Sequence, residues 1–277
     1  MSTAGAPAAI GRVSSHAVPG TLSSDRPAEG VLRLRFAHEA KRGALDHAIL
    51  DGIAEAVSGA QADCILLTGE GRWFSSGYDI GDIPDDVFAV EAEKLVAHPF
   101  TSALEALDAT DIPTVCEING PAIGGGLELA LACDLRVASD DVSFGMPPAK
   151  LGLVYSHTGI RRFIDAVGAP RTRELFLVGR RIDAPTALAW GLVNEICEHA
   201  RLGQAALEWS AELAGNAPLS VRGNKRVIRE LLAAEGGLDE TTEAELIALR
   251  EECFASQDML EGVRAFAEKR PPKWQGK

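Results

Sequence analysis

"NGPAIGGGLELALACDL", Asn119 to Leu135, sets three consecutive glycines, Gly124, Gly125 and Gly126, directly before an apolar run. Residues 127–133 read Leu, Glu, Leu, Ala, Leu, Ala and Cys, apolar all round apart from Glu128. That pattern predicts a buried helix. Glycine is about 1 kcal/mol worse than alanine inside a helix, so three at its start ask for a reason. A helix N-terminus carries unpaired N–H groups and a partial positive charge. With no side chains in the way, a ligand oxygen can approach those amides closely, which suits an oxyanion or anion site. Tight helix–strand packing without a ligand explains the glycines equally well. The spacing is not GxGxxG and no GKS or GKT follows, so a nucleotide phosphate loop gains little support. Burying an unpaired carboxylate is costly, so Glu128 calls for a partner or a raised pKa.

Outward from this stretch, "PTVCEING" (113–120) precedes it as a strand, and the short strands "LRVAS" and "VSFG" follow. Upstream, "VLRLRF" (31–36) alternates apolar and charged residues, as a half-buried strand does. "ALDHAILDGIAEAV" (44–57) puts Leu45, Ile49, Ile53, Ala56 and Val57 on one helical face, and "CILLTG" (64–69) is a short buried strand. "RWFSSGYDIGDIP" (72–84) is a loop, an acidic helix is expected around 86–109, and "LVNEIC" (192–197) is a late strand. Strands alternating with helices predict an α/β core. The small, polar N-terminus is expected to be a mobile tail over 1–28, ahead of a core over 29–214 and a helical region over 215–277.

Composition narrows the function. A formal charge of -13 and a pI near 4.9 argue against a general nucleic-acid binder, which needs a basic face. The five cysteines are dispersed, odd in number and without CxxC spacing. They read as reduced thiols of a cytoplasmic protein rather than a zinc site, and no metal is expected. No apolar run reaches the ~18 residues of a membrane span, and the N-terminus lacks the form of a secretory signal.

"FSSGYDIGD" adds a second candidate to the glycine-led helix. Gly77 lets the chain turn sharply, so that the Tyr78 N–H can point outward. Two backbone amides from separate loops, converging on one carbonyl oxygen, form an oxyanion hole worth about 3–4 kcal/mol per donor.

The segments "KRGALD", "FSSGYDI", "INGPAIGGGLELALACDLRVAS", "FGMPPAKLGL", "ALAWGLVNEI" and "AFAEKR" run in order from Lys41 to Arg270. In these the chain resembles the crotonase superfamily, the enoyl-CoA hydratase/isomerase family. The resemblance implies a spiral of ββα units with a C-terminal helical trimerisation region, giving a homotrimer or a dimer of trimers. It implies an acyl-CoA substrate, with coenzyme A carried as part of that substrate and no further cofactor. The thioester carbonyl would be held by the N–H groups of Tyr78 and Gly125. Ser76, Gly77, Asp79 and Ile80 would line the coenzyme A site, Lys41 would border the nucleotide, and Phe266 and Lys269 would reach the coenzyme A of a neighbouring subunit.

The pattern also departs from the family. Hydratases of the family use two glutamates. Glu128 matches the first, but "SFGMPP" puts Pro148 where the second is expected. Proline cannot ionise, so the usual acid pair is incomplete. "AKLGLVYSHTG" supplies Tyr155, one of only two tyrosines. Here the chain is similar to the methylmalonyl-CoA decarboxylase branch. The sequence reading is therefore decarboxylation of a malonyl-type thioester, with Tyr155 orienting the carboxylate or supplying a proton and Glu128 ordering water or the acyl chain. The alternatives are an enoyl-CoA hydratase or isomerase that uses Glu128 and a further unidentified group, and a non-catalytic acyl-CoA-binding subunit. Plainer roles are expected elsewhere: a surface contact for Lys150, a helix cap for His157, a solvated face for Arg161 and Arg162, and a structural contact for Asp134.

Overall fold

The computed structural model of the protein describes residues 19–79, 94, 96–151, 154–234, 239–242, 244–245, 248, 257–258, 261, 265, 268 and 270–277. Its centre is the strand Cys64–Gly69, β3, buried at every position. Burial on both faces is what a central parallel strand requires, and it explains why "CILLTG" does not alternate. In chain order, the strands before it are β1 (Thr21–Ala28) and β2 (Val31–Ala37). Those after it are β4 (Thr114–Ile118), β5 (Ala122–Ile123), β6 (Leu135–Ser139), β7 (Ser143–Gly145), β8 (Arg181–Asp183) and β9 (Glu195–Cys197). The main sheet has the order β1-β2-β3-β4-β6-β9, and β5-β7-β8 form a small second sheet. In the main sheet only the β1–β2 pairing is antiparallel.

The helices are α1 (His47–Ser58), α2 (Thr101–Ala109), α3 (Gly125–Leu131), α4 (Pro148–Leu151), α5 (His157–Arg173), α6 (Ala184–Ala189), α7 (His199–Gly215) and α8 (Pro218–Ala233). One sheet face, with Leu34, Ile65, Leu67, Cys116 and Ile118, belongs to the large core that includes Ile49, Ile53 and Val57 of α1. Asp46 starts α1 by accepting from the Ile49 N–H at 3.0 Å. The opposite face, with Val31, Cys64, Leu66, Val115 and Val137, is covered by Leu202, Ala205 and Ala206 of α7. The α/β class and the strands around the glycine stretch follow the sequence expectation.

Three expectations change. The tail expected over 1–28 contains strand β1. Its sequence, TLSSDRPA, carries no apolar alternation, and the strand is fixed by backbone pairing with β2 and by Asp25 meeting Arg33 at 2.7 Å. Residues 1–18 lie outside the described residues. The strand expected over 192–197 is shorter, starting at Glu195: the Leu192 carbonyl accepts from the Arg136 side chain, and the Asn194 side-chain oxygen accepts from the Arg136 N–H. Of the helix expected around 86–109, residues 94 and 96–109 are described: Val96–Phe100 is a wider helical turn broken at His98, before Pro99, and the regular α-helix is Thr101–Ala109, with residues 86–93 and 95 outside the described residues. The helical region expected beyond residue 215 contains α8, and most of 235–269 lies outside the described residues. No helix among the described residues is long and apolar enough to cross a membrane.

Candidate active site

Each of the three glycines has its own cause. Gly124, at the start of α3, takes φ 57° and ψ −127°, a backbone that side chains with a Cβ rarely adopt. A Cβ on Gly125 would sit 2.5 Å from the ring of Tyr78, and one on Gly126 would sit 2.4 Å from Ser75 Cβ. The second and third glycines therefore make room for the loop 75–79, which crosses the start of the helix.

That loop is held on both sides. The Ile123 N–H donates to Ser75 O at 2.9 Å and the Ser75 N–H to Pro121 O at 3.1 Å. On the other side, the Leu45 N–H donates to Gly77 O at 2.8 Å and the Asp79 N–H to Leu45 O at 3.0 Å. This parallel bridge uses the groups on either side of Tyr78 and turns the Tyr78 N–H away from Leu45. Gly77, at φ +98°, lies close enough to α3 that a Cβ there would be 3.3 Å from the Gly125 nitrogen. Among the described residues, neither the Tyr78 nor the Gly125 N–H has an acceptor within the chain.

Glu128, one turn into α3, is only 2 % exposed. Its Oε2 accepts a short hydrogen bond from the Tyr155 hydroxyl, and the Tyr155 oxygen lies 2.9 Å from that of Tyr78. Tyr155 reaches Glu128 because the first turn of α5 is cut back to glycine. A Cβ on Gly159 would lie 2.6 Å from Tyr155 Cε1 and 2.8 Å from Glu128 Oε1. The tyrosine rings are nearly parallel, with centroids 6.5 Å apart, and Phe100 and Phe176 meet them edge-on. Burial raises the Glu128 pKa above the usual carboxylate range, against the opposing effects of the Tyr155 hydrogen bond and the Arg162 charge. Burial also raises both phenols, which stay neutral at physiological pH.

The four proposed catalytic residues, Tyr78, Gly125, Glu128 and Tyr155, are thus in one place. Lys41, Ser76, Gly77 and Asp79 form the adjoining corner. Lys41 Nζ meets Asp79 Oδ2 at 2.7 Å, and Ser76 Oγ donates to Lys41 O at 3.2 Å. Ile80, Phe266 and Lys269 lie outside the described residues. Pro148 is buried at the start of α4, and the partner that Glu128 has is a phenol. Ser156, not His157, caps α5, its Oγ accepting from the Gly159 N–H at 3.1 Å. The exposed Lys150 lays its stem against Gly179. Arg161 pairs with Asp165 along the helix surface as expected, but Arg162 turns inward. Its guanidinium makes a two-pronged contact with Asp108 at 2.8 and 2.7 Å. Sequence reasoning passed over this pair, since two adjacent arginines carry no mark of which one faces inward. Gly159, a poor helix former in a first turn, was the available sign of close packing.

Comparison with known proteins accords with this geometry. The family model described as enoyl-CoA hydratase/isomerase matches residues 26–277. A protein of Mycobacterium tuberculosis described as a probable enoyl-CoA hydratase, echA6, is 36% identical over 253 residues, covering 90% of this chain and 97% of the relative. A carnitinyl-CoA dehydratase of Proteus mirabilis is 35% identical over 221 residues, covering 76% of this chain and 81% of that one. The crystal structure of an enoyl-CoA hydratase from Bacillus anthracis superposes with a TM-score of 0.84 at 28% identity, covering 92% of this chain and 99% of that one. The chain belongs to the enoyl-CoA hydratase/isomerase family of the crotonase superfamily, and its α/β architecture is the crotonase fold.

Proposed function

We propose that the protein is a hydro-lyase that adds water to, or removes it from, an acyl-CoA thioester through an enolate. The observation that carries this reading is Glu128, buried in the helix that starts at the Gly125 amide and hydrogen-bonded by Tyr155, with the Tyr78 and Gly125 N–H groups lacking an acceptor among the described residues. The Tyr78 and Gly125 N–H groups receive the thioester oxygen, where negative charge grows as the enolate forms. In the dehydration direction the Glu128 carboxylate removes the α-proton. The same proton then passes to the β-hydroxyl, which leaves as water, and Glu128 returns to its starting state. Burial makes Glu128 a stronger base than an exposed carboxylate, as this chemistry needs near neutral pH. Tyr155 holds the carboxylate in place and substitutes for the missing second glutamate. The hydratase and dehydratase names of the relatives support this reading over the first one drawn from the sequence.

Decarboxylation of a malonyl-type thioester is the second reading, and Pro148 is the residue that favours it. Against it, the Tyr155 proton is already given to Glu128 and is not free to orient a substrate carboxylate. Coenzyme A would lie along Ser76 to Ile80 with Lys41 nearby, and Phe266 and Lys269 would contact the coenzyme A of a neighbouring subunit. A homotrimer, or a dimer of trimers, would cover the exposed Ile228, Leu231 and Leu232 of α8. The cysteine usage suits the cytoplasm. A mass-spectrometric screen offering enoyl-, 3-hydroxyacyl- and malonyl-type CoA esters side by side tests the assignment. Gain or loss of water is expected. Release of CO2 from a malonyl thioester with no change in the other esters would replace it with the second reading, and coenzyme A binding without turnover would remove both.

A further inference from the structure

The Tyr78 side chain does something that its backbone role does not require. Its ring crosses the start of α3, and its hydroxyl reaches the Tyr155 oxygen at 2.9 Å. The Tyr155 hydroxyl in turn meets the Glu128 carboxylate. Proton counting fixes the direction of this chain. A tyrosine has one proton to donate. While Glu128 is ionised, Tyr155 gives its proton to the carboxylate, so Tyr78 must be the donor to Tyr155. Toward any further partner the Tyr78 oxygen is then an acceptor only. When Glu128 is protonated, the order reverses: Glu128 donates to Tyr155, Tyr155 donates to Tyr78, and the Tyr78 proton is free to point outward. The charge on a carboxyl that water hardly touches is thus expressed at the hydroxyl of a half-buried residue as a change from acceptor to donor.

We infer that the Tyr78 hydroxyl is the outer end of a hydrogen-bond chain that relays protons to and from Glu128 and, by donating to Tyr155, sets the basicity of that carboxyl. As Glu128 takes up a proton, an O–H bond of a hydronium ion breaks, leaving water, and a new O–H bond forms on Tyr78. The original Tyr78 proton moves to Tyr155, and the Tyr155 proton moves to Glu128. Three O–H bonds break and three form, and one proton passes from hydronium to the carboxyl, leaving a water molecule. The raised pKa values of both phenols keep them neutral at either end of the transfer, so no tyrosinate is stored. Among the described residues, the other charged groups acting on Glu128 are Arg162 of α5 and Asp108 of α2, joined to each other.

The inference rests on Glu128 being the base proposed above, and its test separates the two ideas. The carboxyl infrared band of Glu128, assigned by its loss in Glu128→Gln, is titrated in the wild type, in Tyr78→Phe and in Tyr155→Phe. Turnover of the best thioester is measured in parallel. Tyr78→Phe keeps the ring that packs on Gly125 and removes only the hydroxyl. Without that donor, Tyr155 is a weaker partner for the carboxylate, because hydrogen bonds in a chain strengthen one another. The expected result is a Glu128 titration moved to higher pH in Tyr78→Phe, and further in Tyr155→Phe. The acidic limb of the pH–rate profile shifts with it, and turnover falls about tenfold. A purely structural ring would leave both profiles where they are, and an unchanged titration in Tyr78→Phe beside a shifted one in Tyr155→Phe overturns the relay. The infrared titration needs no turnover, so it decides the relay even where the thioester screen fails to support the proposed reaction.

Discussion

The two ends of helix α3 treat a carboxylate in opposite ways. At the start, Glu128 is nearly sealed from water, and its hydrogen-bond partner is a neutral phenol. Just past the end, Asp134 accepts from the Thr114 N–H at 2.7 Å, from the Thr114 hydroxyl at 2.9 Å, and meets Lys225 Nζ at 2.8 Å. The second acid joins β4, α8 and the turn into β6 with full charges and several donors. The first sits where its charge is under-compensated, and burial holds its pKa up. A carboxylate that binds the fold together is surrounded by donors, whereas one that must exchange a proton is left short of them.

Substitutions should separate the two ends cleanly. Glu128→Gln keeps the shape, and its amide oxygen can still accept from Tyr155. We expect turnover to fall by about 10²- to 10⁴-fold, the usual range for a general acid or base, with the melting temperature unchanged or raised. A large loss of melting temperature would move Glu128 into the structural class. Gly125→Val drives a side chain into the Tyr78 ring and displaces the amide beside it. A loss of at least about 100-fold is expected in steady-state assays, on the usual worth of one oxyanion donor. Near-normal turnover would detach the helix start from the chemistry. Asp134→Ala should do the reverse, costing about 1–3 kcal/mol in denaturant melts through the donors left unpaired, with kcat little changed.

The smallest effect is a pH dependence. The folded pKa of Glu128 is raised, so its stabilising contribution is full below the unfolded carboxyl value, about 4.3, and is lost as pH rises through the folded one. Wild type should therefore lose stability relative to Glu128→Gln between pH 4 and neutrality. Parallel melts across that range check the sign, and a gain in wild type on raising the pH would mean that Glu128 is better compensated than its surroundings indicate.

The sequence made the site's location legible for physical reasons. An apolar helix led by glycines, and a second glycine loop after a buried strand, are costly features in a structure that does not use them. The Asp134 contact was legible for a similar reason, since a charge ending an apolar helix needs partners. Other features depend on distant neighbours and leave no local trace. Strand β1 has no apolar alternation because an edge strand can rest on backbone pairing and the Asp25–Arg33 contact. Whether Arg161 or Arg162 faced inward depended on where Asp108 would fall. The partner of Glu128 was not readable as such, although Tyr155 stood out. Its reach depends on Gly159, four residues on, having no side chain.

The close fit of Gly125 to the Tyr78 ring has a consequence for how this lineage can change. The size of residue 78 and the smallness of residue 125 form one joint trait, so residue 125 is not free to grow alone. A methyl at position 125 should be harmful behind a tyrosine and mild behind an alanine, which makes Gly125→Ala conditional on Tyr78→Ala having come first. Descent through this region is therefore ordered. The aromatic ring must shrink before the helix start can grow, and the reverse route passes through a protein whose oxyanion loop is pushed aside.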